Sequence, residues 1–208
     1  MRPYRVALVG CGESGAAAAT AYQTHPRTHV VALCDLVAAL VRALGDEIGV
    51  DAHYSDLDRM IEEGKPDIVV IPTGTEFHFD LSMCVLEHGV HIDLEKPITI
   101  DLEQADALLA NAEEKNVRVA VHHQERVGGP LQVVARALRG GRIGRLRHLT
   151  ASDKGYCGGL RCRLALAGAW VGVVHALAQG AVSVVDCRCC AIGIVQYLQI
   201  RQVNPFLN

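Results

Sequence analysis

Short apolar runs alternate with amphipathic stretches over the first 123 residues. "YRVALVG" is a run closed by glycine and predicts a strand buried on both faces. "ESGAAAATAYQTH" is Ala-rich and predicts a helix. "HVVALCD" predicts a second strand, and "LVAALVRALGDEIG" a helix that stops near Gly49. "SDLDRMIEEG" predicts a helix with Ser55 as N-cap and Gly64 as the C-cap residue. "PDIVVIPT" is the third strand and "FHFDLSMCVLEHG" a helix ended by glycine. "VHIDLE" is the fourth strand, "DLEQADALLANAEEKN" a helix opened by Asp101, and "VRVAVHH" the next strand. "PLQVVARALRGGRIG" then predicts one more helix, and "RLRHLTASDKG" a strand that begins something new.

Strands alternating with helices across short Gly, Pro or Asn connections predict an open, mostly parallel α/β sheet with helices on both faces. The pattern covers residues 1–123, with no internal repeat.

Composition adds limits. The chain has 208 residues, 50% of them apolar, enough for one sizeable domain and a fraction of another. A net charge of −3 gives no basic footprint for nucleic acid. The N-terminus opens on an early strand with no signal-peptide pattern, so a cytoplasmic protein is expected. Cys11, Cys34 and Cys84 fall in strands and helices, where a free cysteine serves as a small apolar filler. Cys157, Cys162, Cys187, Cys189 and Cys190 crowd the last quarter. A cytosolic chain would not use them as a disulfide framework, and "CRCC" lacks a second spaced pair, so no metal site is assigned.

"VGCGESG" places Gly10, Gly12 and Gly15 as G-x-G-x-x-G between a strand and a helix, the context a dinucleotide fingerprint requires. The first glycine permits the tight turn, the second lets a pyrophosphate approach, and the third lets helix and strand pack closely. Cys11, Glu13 and Ser14 lie between them and share the cofactor-binding assignment. Asp35 ends the second strand, where a carboxylate can accept hydrogen bonds from an adenosine ribose. Leu36 follows and no Arg is adjacent to hold a 2′-phosphate, which favours NAD over NADP. The competing reading is a glycine turn plus a capping aspartate in an unrelated α/β protein.

Thr73 and Gly74 follow the third strand, at the carboxyl edge where doubly wound sheets bind ligands. His78 falls in the first turn of the next helix, either facing the cofactor or standing as a partly exposed helix-start residue. "DLEKPI" then sets Glu95, Lys96 and Pro97 directly after a buried-looking strand. A lysine is costly to bury and a proline ends a ladder, so that placement needs a further reason.

These stretches, with "HHQER" at 122–126, resemble the glucose–fructose oxidoreductase / inositol dehydrogenase / MocA (Gfo/Idh/MocA) family. "EHGVHIDLEKPIT" is the most specific of them, and the likeness runs from residue 4 to about 159, into "GGRIGRLRHLTASDKGYCGG". The resemblance implies an N-terminal Rossmann domain, a doubly wound parallel sheet, that binds NAD or NADP. It implies hydride transfer to or from a sugar, polyol or related secondary alcohol. Lys96 inherits the place beside the nicotinamide and the reacting oxygen, where an ammonium can donate a hydrogen bond or relay its proton. Glu95 inherits contact with the nicotinamide-side ribose, and the bond before Pro97 is often cis in the family. Gln124 and Arg126 match polar positions lining the cofactor or the domain junction, whereas Glu125 and Val127 depart from the usual Arg and Phe. His122 and His123 read equally as strand-end polarity.

The family also carries an α+β substrate domain that adds an Asp and a His from one helix. Here no Asp-x-x-x-His follows "DKGYCGG". Residues 164–185 contain no charged residue, and a membrane span is not expected because Gly168, Gly172, His175, Gln179 and Gly180 dilute them. The Ala, Gly, Arg, Cys and Val flavour of the tail predicts a truncation or frame shift, leaving a Rossmann domain at 1–123 and a partial, atypical substrate domain at 124–208. The expected protein is an NAD-dependent oxidoreductase of this family, with full activity not expected from this chain alone because the substrate domain is incomplete. Its partner, if active, is a sugar or polyol, with no nucleic-acid or membrane partner, and a homo-oligomer is left open because relatives associate through the substrate sheet. The alternatives are a non-catalytic dinucleotide-binding module or gene remnant, and a generic α/β protein with a coincidental glycine loop.

Overall fold

The computed structural model describes residues 2–123 and 129–142. The chain divides into two units, the first ending at His122. In the first unit the apolar runs become β1 (Tyr4–Val9), β2 (Thr28–Cys34), β4 (Ile68–Ile71), β5 (His91–Glu95) and β6 (Val119–His122). The sequence pattern omits one strand, β3 (His53–Tyr54). It has two residues and no apolar run, and its order comes from pairing Leu33 with His53 and Cys34 with Tyr54. All pairings are parallel, in the order β3-β2-β1-β4-β5-β6.

The crossover helices are α1 (Glu13–Thr24), α2 (Ala38–Ile48), α3 (Leu57–Gly64), α4 (His78–Glu87) and α5 (Leu102–Glu114). Residue alternation along the strands divides the core in two. Val6, Leu8, Val30, Leu33 and Val70 pack with Ala19, Val41 and Leu44 of α1 and α2. Ala7, Val9, Ala32, Ile71, Ile92 and Leu94 pack with Met60, Ile61, Val85, Leu86 and Leu108 of α3, α4 and α5. Central strand β1 therefore buries both faces, with Val6, Ala7 and Leu8 at 0% exposure, as a continuous apolar run requires.

Caps set the helix ends. Asp101 opens α5 by accepting the Gln104 N–H at 2.8 Å, as its sequence position predicts. The expected caps of α3 move by one residue. Asp56, not Ser55, accepts the Arg59 N–H at 2.8 Å. Lys65, not Gly64, takes the left-handed C-cap conformation with φ 43°. Gly64 stays in the helix, where a Cβ would come within 3.2 Å of the Ala32 methyl. In the second unit a sixth helix, α6, spans Gly129–Arg139. The strand expected at 145–155 and the five C-terminal cysteines lie outside the described residues.

The chain order reverses between β1, which leads to β2 and β3, and β4, which leads to β5 and β6. At such a switch point the loops leaving the two strands part, opening a crevice at the carboxyl edge.

Candidate dinucleotide site

The β1–α1 loop is built by its glycines. Gly10 has φ 109°, and its N–H donates to the Cys34 carbonyl at 2.8 Å. A Cβ there would lie 2.8 Å from Thr73 Cγ2, so the loop and the β4 exit touch. A Cβ on Gly15 would lie 2.0 Å from the Gly10 carbonyl oxygen, an impossible approach. Gly12 differs: a Cβ there would meet no atom of the described residues within 4 Å. Among the described residues no side chain caps α1. The open space over Gly12 therefore adjoins the uncapped N–H groups and positive end of a helix, which suits an anion. Glu13 and Ser14 are exposed in the first turn.

Cys11 contributes backbone rather than thiol. Its side chain is buried with Sγ facing the Cys34 carbonyl at 3.7 Å. Burial first, then the negative charge of Asp35, pushes the thiol up to about 12. Its N–H donates to Asp35 Oδ2 at 2.8 Å, while Asp35 Oδ1 accepts the Val37 N–H at 2.8 Å. Asp35 is thus locked beside the glycine loop by one hydrogen bond to each oxygen. Leu36 beside it is 89% exposed.

His78 is not a partly exposed helix-start residue. It opens α4 at 0% exposure. Its Nδ1 lies 2.8 Å from the Pro97 carbonyl and its Nε2 3.2 Å from the Thr73 carbonyl. Both ring nitrogens are engaged with backbone, so the ring ties the β4 exit, Thr73 and Gly74, to the β5 exit.

At that β5 exit the Lys96–Pro97 bond is cis. The Lys96 side chain is 17% exposed, with Nζ 3.9 Å from Glu95 Oε2. Glu95 Oε2 also accepts the Lys96 N–H at 3.1 Å, and Oε1 lies 3.4 Å from His122 Nδ1. Glu95 and His122 line a cleft of about 260 Å³ beside Ser14 and Ala17 of α1. Asp93 also lines this cleft, and one of its contacts escaped the sequence reading: the Tyr22 hydroxyl donates to Asp93 Oδ2 at 2.5 Å, tying α1 to β5. Burial and that bond push the tyrosine hydroxyl well above its ordinary range. The available signal was Asp93 itself, a charge inside the otherwise apolar "IDL". Gln124 and Arg126 lie outside the described residues.

A glycine loop, a helix start, a fixed carboxylate and a lysine thus share the carboxyl edge of one parallel sheet. Residues 4–123 match the family described as an oxidoreductase family with an NAD-binding Rossmann fold, GFO_IDH_MocA. The chain belongs to the Gfo/Idh/MocA oxidoreductase family. It is 32% identical over 144 residues to D-apiose dehydrogenase of Paraburkholderia graminis, covering 69% of this chain and 38% of that protein. It is 28% identical over 157 residues to D-glucoside 3-dehydrogenase of Escherichia coli, covering 75% and 45%. Among solved structures, the WlbA dehydrogenase of Bordetella pertussis in complex with NADH and UDP-GlcNAcA superposes with TM-score 0.69 at 30% identity, over 73% of this chain and 44% of that one. The chain spans less than half the length of these relatives. The matched segment of this Gfo/Idh/MocA chain is the family's NAD-binding Rossmann domain. Among the described residues no helix is long and apolar enough to cross a membrane.

Proposed function

We propose that this chain binds NAD through its Rossmann domain and serves hydride transfer between that cofactor and a sugar, polyol or related secondary alcohol. The open space over Gly12, bounded by the uncapped start of α1, carries the reading. In it the loop N–H groups hold the pyrophosphate. Asp35 keeps lone pairs for the adenosine ribose hydroxyls, and an exposed apolar Leu36 beside it offers nothing to a 2′-phosphate. Thr73 and Gly74 border the dinucleotide, and Glu95 takes the ribose on the nicotinamide side. Lys96 donates a hydrogen bond to the substrate oxygen or relays its proton. NAD supplies the hydride acceptor. The reading places the protein in the cytoplasm, in assemblies with copies of itself.

Calorimetric titration with NAD and NADP, for the wild-type chain and Asp35→Ala, tests the cofactor part. NAD should bind more tightly than NADP, and Asp35→Ala should weaken NAD at least tenfold. Equal binding by both proteins would remove Asp35 from the site. NADH formation across a panel of sugars and polyols tests the reaction. NAD binding without turnover on any of them would leave a dinucleotide-binding module.

A further inference from the structure

Cys84, Asp58 and His88 gather on the outer side of the α3–α4 pair. Cys84 and His88 stand four residues apart at the end of α4, so they project from one face, one turn apart. Asp58 reaches them from the first turn of α3. The ligand atoms of all three lie within 4.8 Å of one another. Cys84 is partly buried but is no simple apolar filler, because its Sγ donates to Asp58 Oδ1 at 3.3 Å. The same oxygen lies 2.7 Å from His88 Nε2.

One carboxylate oxygen thus receives both a thiol and an imidazole, and each can give up a proton to become a soft or borderline ligand. From this geometry we propose that Asp58, Cys84 and His88 form a three-ligand site for a thiophilic divalent cation of the zinc type. Tetrahedral zinc takes sulfur at about 2.3 Å and nitrogen or oxygen at about 2.0–2.1 Å, which sets neighbouring ligand atoms roughly 3.3–3.5 Å apart. The Sγ–Oδ1 edge already has that length, and the Nε2–Oδ1 edge needs to open by about half an ångström. Asp58 has the freedom to allow this, since its side chain is 64% exposed. On binding, the thiol proton leaves to solvent, and the hydrogen that His88 Nε2 shares with Asp58 is given up to solvent while Nδ1 carries the ring's remaining proton, taken from solvent where the ring starts neutral, so Nε2 presents its lone pair. Burial and Asp58 hold the thiol proton tightly, but Asp56 and Glu87 add negative charge that also favours a cation. A sulfur, a nitrogen and one oxygen select zinc over magnesium or calcium. Three protein ligands leave a fourth position for water.

The test uses the full chain with cobalt(II) chloride as the optical probe and zinc chloride as competitor. Wild type should show a thiolate-to-cobalt charge-transfer absorption that zinc abolishes, and Cys84→Ser should lose one equivalent of it. Other cysteines contribute equally to both proteins, so the difference between them reads Cys84. Peptide-resolved alkylation supplies a second measurement that does not depend on the serine variant. Zinc should slow alkylation of Cys84 at least tenfold in wild type, and much less in Asp58→Asn, a change at an exposed side chain, and in His88→Gln, a change at a partly buried one. An unchanged cobalt spectrum in Cys84→Ser would overturn the proposal. So would zinc-independent alkylation of Cys84 in wild type, which would leave the cluster as a hydrogen-bonded pin between two helices.

Discussion

Replacing Gly12 by alanine separates folding from cofactor binding. The backbone at Gly12 has φ −73° and ψ −167°, which any L-residue adopts. The new methyl meets no atom of the described residues within 4 Å. Alanine at a compatible position gains about 0.4–1 kcal/mol by restricting the unfolded chain. As an N-cap it is worse than glycine by about 0.5–1 kcal/mol. The two terms offset, so the melting temperature should move by less than about 4 °C. Binding changes far more, because the space the methyl enters is the space the pyrophosphate needs. Holding a phosphate oxygen off one loop N–H forfeits a charge-assisted hydrogen bond of about 1.5–3 kcal/mol, roughly a ten- to hundredfold loss of NAD affinity. Gly15→Ala should behave in the opposite way. Its methyl would sit 2.0 Å from the Gly10 carbonyl oxygen, so the β1–α1 turn must open, at a cost of about 3 kcal/mol or more in stability. Thermal melts read the first quantity and calorimetric NAD titration the second. A Gly12→Ala chain that binds NAD like wild type would show that the pyrophosphate does not lie over this glycine. A Gly15→Ala chain as stable as wild type would refute the packing argument.

Two further changes probe the scaffold. His78→Phe keeps a buried aromatic ring, somewhat larger than imidazole, but removes the ring N–H that the Thr73 or Pro97 carbonyl accepts, which should cost about 1–3 kcal/mol in urea unfolding and several-fold in NAD affinity. A loss below about 0.5 kcal/mol would mean the ring acts as packing alone. Asp67 accepts a two-pronged contact from the Arg2 guanidinium, at 2.9 and 2.7 Å, and the Arg5 N–H at 2.8 Å. Burial pushes its carboxyl up, but these bonds and the arginine charges outweigh it and hold it below its ordinary 3.8. The unfolded chain therefore takes up the proton first. The stabilisation is complete above the unfolded value and is lost as pH falls through the folded one. Asp67→Asn should cost about 1–2 kcal/mol near neutral pH, with the gap to wild type closing in acid. A gap that is constant down to about pH 2 would contradict this.

The sheet was legible because each long strand is a run of apolar residues with a turn signal behind it. β3 was not, since His53 and Tyr54 form a strand only by pairing with β2. The α3 caps slipped by one residue because Ser55 and Asp56 are both good N-caps and sequence cannot say which turns first. The glycine loop and Asp35 were legible because their spacing carries the mechanism. His78 was half legible: its place at the start of α4 follows from the sequence, but its burial depends on the β4 exit meeting the β5 exit over it, with Pro97 19 residues further along the chain. Tyr22 and Asp93 are 71 residues apart, and Cys84 and Asp58 are 26 apart, so neither pair shares a local pattern. In each case the missing information was which element lies beside which.

Asp35 shows why the geometry changes the question rather than merely answering it. From sequence, a capping aspartate and a ribose acceptor are rival readings of one residue. In the structure Asp35 accepts the Cys11 N–H on one oxygen and the Val37 N–H on the other, so it does hold the turn. An ionised carboxylate has about four acceptor positions, and these two bonds use half of them. The backbone bonds fix where the remaining lone pairs point, which is what a ribose acceptor needs if binding is not to cost side-chain ordering. The structural role therefore prepares the binding role. It follows that Asp35→Ala perturbs both, and a loss of NAD affinity in that variant has meaning only beside its measured stability. Gly12→Ala carries no such coupling, because its methyl enters space that the described residues leave open, and it is the sharper probe of the two.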